Sequence, residues 1–107
     1  MYEYNAIVKK VLDANTLELT VDLGFGVTIK RVFHAVGMNA PIFRGNENDA
    51  TKIEAAVEAK NTAKDLILGK KVQIVAQKMA KYGRYEVAVF SIDDGKSYND
   101  LMAEKGY

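Results

Sequence analysis

The stretch Thr16-Leu17-Glu18-Leu19-Thr20-Val21-Asp22-Leu23 alternates polar and apolar side chains without a break. A period of two belongs to a β-strand with one face in a core and the other in water. Leu17, Leu19, Val21 and Leu23 are therefore expected to point inward. Gly24-Phe25-Gly26 follows at once and supplies the flexible backbone of a hairpin turn. A return strand is expected from Val27 to about Val36, carrying Ile29, Val32 and Phe33. Pro41, the only proline, ends it, because proline donates no ladder hydrogen bond. On the N-terminal side, Ala6-Ile7-Val8 and Val11-Leu12 frame Lys9 and Lys10 and read as a partly buried first strand.

From Asn46 the period changes. Ile53, Ala56, Val57, Ala63, Leu66 and Ile67 fall at helical spacing, with Lys52, Glu54, Glu58, Lys64 and Asp65 as polar faces. The helix is expected from about Asp49 to Leu68, packed on the barrel through Ile53, Val57 and Leu66, so that Val57→Asp would unfold or severely destabilise the chain by burying a charge without a partner. Asn48, Asp49 or Thr51 is the expected cap, with Thr51 and Glu54 spaced as a capping box. Gly69 stops the helix. Val72, Ile74 and Ala76 then form a fourth strand. In the fifth, Tyr85, Val87 and Val89 share one face, with Ala88 and Phe90 on the other. Asp93-Asp94-Gly95 reads as a turn, and Ser97 and Asp100 open a short last helix that Gly106 closes. This order is uncommon for a parallel α/β fold. It fits a mainly β (α+β) five-stranded OB-fold barrel, with one helix between strands 3 and 4 and a short C-terminal helix. No linker or repeat interrupts it, so residues 1–107 are expected to form one domain.

Composition excludes several function classes. The net charge is +1, far from the strongly basic balance of a dedicated nucleic-acid binder. There are no cysteines and one histidine, which excludes disulfides, thiolate metal sites and a multi-histidine zinc centre within one chain. The N-terminus, Met1-Tyr2-Glu3-Tyr4-Asn5, lacks the basic start and apolar core of a signal peptide, and no stretch approaches the roughly 20 apolar residues of a membrane span. A cytoplasmic or virion-associated protein is expected, and the oligomeric state is open.

Three stretches carry a family likeness: Val11-Leu12-Asp13-Ala14-Asn15-Thr16-Leu17, His34-Ala35-Val36-Gly37-Met38-Asn39-Ala40-Pro41 and Lys81-Tyr82-Gly83-Arg84. In order and spacing they resemble the staphylococcal-nuclease-like (thermonuclease) family, whose motifs read D-G-D-T, R-L-x-G-I-D-A-P-E and K-Y-G-R. The likeness runs from about Tyr4 to Tyr107 and implies the same barrel, and the glycine-flanked turn after strand 2 is similar to short phage-borne members. It also implies a site. The calcium-binding aspartates fall on Asn15 and Asn39, with Asp13 matching the motif's first aspartate. The general base falls on Ile42, and the two phosphate-holding arginines fall on His34 and Arg84. Arg31 could replace the first arginine only if its strand bulged, because three steps along a strand change the face.

Of the family's principal side chains, only Arg84 survives as a clear match. Asn15 and Asn39 also suit turns, His34 suits a packed or surface position, and Arg84 suits a surface ion pair. Lys78, Lys81, Tyr82 and Arg84 could form a stacking and phosphate-contact loop of the kind single-strand binders use, or an ordinary solvated loop. The expected function is that of a catalytically inactive nuclease-like module that binds a macromolecular partner. The near-neutral charge favours a protein, and a virus-encoded accessory or assembly role would fit the resemblance. The first alternative is a weak calcium-dependent nuclease acting on single-stranded nucleic acid. The second is a non-catalytic single-strand binder. No cofactor is expected, or calcium if the nuclease alternative holds.

Overall fold

The computed structural model describes residues 2–35, 40–41, 48–79, 85–92 and 95–107, with the backbone alone at 2 and 77–79. The elements are β1 (Tyr2–Asp13), β2 (Thr16–Gly24), β3 (Val27–Ala35), α1 (Ala50–Ile67), β4 (Lys71–Met79), β5 (Tyr85–Ser91) and α2 (Tyr98–Glu104). The strands close into a barrel in the order β1-β2-β3-β5-β4. Every seam is antiparallel except β3 to β5, which is parallel. This is the five-stranded barrel that the alternation and the element order predict, with α1 between β3 and β4.

Leu17, Leu19 and Val21 enter the core as the period of two requires, together with Val8, Val72, Ile74, Val87 and Val89. Leu23 does not: it is 40% exposed, because the β2–β3 hairpin runs beyond its last β1 partner, Asn5. Gly24 and Val27 pair across Phe25 and Gly26, whose φ values of 55° and 76° are both positive, as a type I′ turn demands. Strand β1 is longer than Ala6 to Leu12 and carries register shifts at Val8/Lys10 and Val11/Asp13. The first is where Val8 turns to the α1–β4 connection: its N–H donates to the Lys70 carbonyl (3.1 Å) and its carbonyl accepts from Gly69 N–H (2.8 Å). Such bulges bend a strand enough to wrap a small barrel.

Helix α1 corrects one expectation. Its buried residues are Ala56, Ala59, Ala63 and Ile67, with Leu66 partly buried against the core, whereas Ile53 and Val57 are 39% and 42% exposed. At roughly 100° per residue, the three alanines lie mid-stripe and Ile53 and Val57 on its flank. Alanines let the helix axis approach the barrel closely, and the bulkier side chains are left at the edge. The premise of unfolding by Val57→Asp, a charge buried without a partner, is thereby removed. Of the three candidate caps, Asp49 serves: its Oδ1 accepts from Thr51 N–H at 2.9 Å. Ser97 caps α2 by accepting from Asp100 N–H at 3.0 Å. Asp93 and Asp94, read as a turn, lie outside the described residues. Among the described residues no helix is long and apolar enough to cross a membrane.

Candidate functional site

The β1–β2 connection is two residues long, Ala14-Asn15, between the paired Asp13 and Thr16. Asp13 Oδ1 accepts from Asn15 N–H at 3.1 Å, and Asn15 Oδ1 accepts from the Thr16 hydroxyl at 3.2 Å. The Asn15 carbonyl accepts from Ala35 N–H at 2.9 Å, which ties the turn to the end of β3. Asn15 is thus a turn residue through its hydrogen bonds. Left-handed backbone plays no part, since Phe25 is the one non-glycine residue with positive φ among those described.

A third element holds the same turn. The buried Tyr98 at the start of α2 donates its hydroxyl to the Ala14 carbonyl. Burial, and then the negative charge of Asp13, push the Tyr98 phenol above its ordinary pKa. Both causes act on the phenolate, which burial would strip of water and the Asp13 charge would repel.

His34 lies across from Thr16 on β2, so it joins Asp13 and Asn15 at one corner of the barrel. The β2–β3 register is regular from Thr16↔His34 to Asp22↔Thr28. No bulge separates Arg31 from His34, and the two side chains leave opposite faces. Arg31 therefore cannot stand in for the first phosphate-holding arginine. Asn39, Ile42, Lys81, Tyr82 and Arg84 lie outside the described residues, and Lys78 is described in its backbone alone.

One residue at this corner escaped the sequence reading. Glu86 is abreast of His34 in the parallel β3–β5 register and is half-buried. Glu86 thus stands as a second carboxylate beside Asp13 at the corner. Parallel pairing of strands some fifty residues apart leaves no local signal, so nothing in the sequence alone marks Glu86. Among the described residues, no three His, Cys, Asp or Glu side chains are grouped so that they could hold a metal ion.

A family model described as staphylococcal nuclease homologue matches residues 33–107. Among curated proteins no match is found. The matched region takes in His34, Asn39, Ile42 and the Lys81–Arg84 stretch, while Asp13 and Asn15 precede it and are placed by the β1–β2 turn. With the model covering most of the chain and a closed five-stranded barrel beneath it, the chain belongs to the staphylococcal nuclease homologue family, nuclease-like or nucleic-acid-related in function at family level.

Proposed function

We propose that the chain is a catalytically inactive member of its family that works by binding a macromolecular partner, with a protein favoured over nucleic acid. The observation that carries this reading is the β1–β2 turn. Asn15, in the position of a metal-binding carboxylate, spends its side-chain oxygen on Thr16, and Asp13 spends Oδ1 on Asn15 N–H. Phosphodiester hydrolysis in this family's manner needs a divalent metal, a base to activate water, and cations on the equatorial oxygens. Calcium affinity depends largely on the number of charged oxygen ligands. A donor set with amides at Asn15 and Asn39 fits calcium poorly, and Ile42 cannot take a proton from water. His34 supplies no bidentate donor fork for phosphate, which is arginine's particular capacity.

The preference for a protein partner is supported by the net charge of +1, since nucleic-acid affinity rests mainly on neutralised phosphates. A virus-encoded accessory or assembly role rests on the likeness of the Gly24-Phe25-Gly26 turn to that of phage-borne family members. Family membership keeps one other reading in view: a non-catalytic single-strand binder using Lys78, Lys81, Tyr82 and Arg84.

The test is a calcium titration combined with single-stranded DNA cleavage and fluorescence anisotropy at high protein concentration. No cleavage and no salt-dependent DNA binding are expected, with calcium binding weaker than about 0.1 mM. DNA binding without cleavage would replace the protein partner by a single strand. Calcium-dependent turnover would overturn the reading outright.

A further inference from the structure

The two ends of the barrel differ. At one end the α1–β4 connection is hydrogen-bonded to Val8 and the alanine face of α1 joins the core. At the other, the side chains of Val21, Phe33, Ile74 and Val87 form the floor of an open apolar well of about 300 Å³. Leu23, Ile29, Arg31 and Tyr85 stand around its rim. A cavity of about 150 Å³ already holds benzene, and small-molecule pockets begin near 300 Å³.

Arg31 makes this more than an unfilled barrel end. It lies directly across from Leu19 and between Ile29 and Phe33, on the strand face that points into the barrel. Its side chain is exposed, so the charge stands at the mouth and not among the floor residues. Arg31 has no ion pair or hydrogen bond among the described residues. Among the described residues the well therefore pairs an apolar interior with one cation at its mouth, the complement of an amphiphile with a single anionic end. A nucleotide fits it less well. The Phe33 and Tyr85 rings are tilted by 42° with centroids 6.1 Å apart, so they offer no parallel slot for a base, and most of the remaining wall is aliphatic.

We infer that the open end of the barrel binds a small amphiphilic carboxylate, its hydrocarbon seated on Val21, Phe33, Ile74 and Val87 and its carboxylate on the Arg31 guanidinium. The shape and charge of the well carry this inference, which goes beyond the partner-binding reading and does not rest on it. The Asp13, Asn15 and His34 corner lies at the far end of β3 from Ile29 and plays no part.

The test is a titration of isotope-labelled protein with sodium decanoate below its micelle concentration, followed by amide chemical shifts. Decyltrimethylammonium serves as the cationic counterpart and thymidine monophosphate as a base-plus-phosphate control. Saturable shifts are expected at Ile29, Phe33, Ile74 and Val87, with decanoate about tenfold tighter than the cation, as one charge-assisted contact provides. Arg31→Gln should bring the two amphiphiles to within about threefold of each other while keeping the wild-type melting temperature. Ala76→Phe, which fills the well, should abolish saturable binding; if that variant does not fold, the Arg31→Gln comparison decides alone. Equal affinity for both amphiphiles, unchanged decanoate affinity in Arg31→Gln, preference for thymidine monophosphate, or no saturable shift would each overturn the inference.

Discussion

The Tyr98 hydroxyl reaches back 84 residues to donate to the carbonyl of Ala14. That bond fastens the last helix to the β1–β2 turn, and the same turn is held from β3 through Asn15 and Ala35. The corner in which the family likeness places metal chemistry is thus built as a structural joint. Ala14, fully buried, leaves no slack in it.

Tyr98→Phe should cost about 1–2 kcal/mol, because it leaves the Ala14 carbonyl buried without its donor. In a domain of this size that lowers the melting temperature by roughly 4–8 °C per kcal/mol. Denaturant unfolding with an unchanged m-value is the check. A loss below about 0.5 kcal/mol would mean that water satisfies the carbonyl.

Alkaline pH should act through the same side chain. Burial and Asp13 raise the folded-state pKa of Tyr98 above the ordinary phenol value of about 10. The folded state therefore keeps a proton that the unfolded state releases. The resulting stability is complete below pH ~10 and is lost as pH rises toward the folded pKa, by up to about 1.4 kcal/mol per pH unit. Wild type should lose stability above pH ~10 more steeply than Tyr98→Phe does. Parallel pH curves for the two proteins would remove Tyr98 as the cause.

The alanine face of α1 can be tested by contrast. Ala63→Leu, at a fully buried position, should destabilise by about 1–3 kcal/mol through overpacking. Val57→Asp, on the exposed flank, should cost less than about 1 kcal/mol, mostly in helix propensity. Thermal melts of the two variants decide, and the reverse order would mean that the helix is rotated.

At the hairpin tip Phe25 is fully exposed and sits at φ 55°, a conformation that asparagine adopts far more readily. Phe25→Asn creates the Asn-Gly pair that two-residue hairpins favour and should stabilise the fold by about 0.5–1 kcal/mol. A lower melting temperature would show that the phenyl ring contributes contacts worth more than the relieved backbone.

Restoring the family's chemistry needs several changes together. Asn15→Asp, Asn39→Asp, Ile42→Glu and His34→Arg combined should yield calcium-dependent cleavage of single-stranded DNA, while each alone should yield none. Metal, base and phosphate clamp act as a unit, so their effects do not add. Calcium binding and circular dichroism establish first that the revertant folds and takes up metal. A folded, calcium-binding revertant without turnover would place the remaining defect in the backbone around Pro41 or Lys81.

The barrel was legible because its evidence is local: Leu17, Leu19 and Val21 alternate, Gly26 allows a tight turn, and Asp49 and Ser97 cap helices a few residues ahead. The helix face was misread because Ile53 and Val57 carry more hydrophobicity than Ala56, Ala59 and Ala63, and only the distance between helix and barrel decides which side is used. Leu23 kept its strand period but lost its burial, since the reach of a hairpin beyond its neighbour is not written in the alternation. Glu86 beside His34, and Arg31 at the mouth of the well, both depend on which strands lie side by side.

The parallel β3–β5 seam has a mechanical consequence. Among the described residues it runs over Phe33↔Tyr85, His34↔Glu86 and Ala35↔Val87 alone, while β2 and β3 are matched along their length and β1 is held on both sides. Cooperative opening begins where the fewest contacts must break. The cylinder is a rolled sheet with a short fastening, and it should breathe by unrolling along that line, with the amide proton of His34, which points away from β2, exchanging sooner than those of Leu17 to Val21. Opening there would part His34 from Glu86 and, from the side, lay bare the floor beneath Phe33 and Val87.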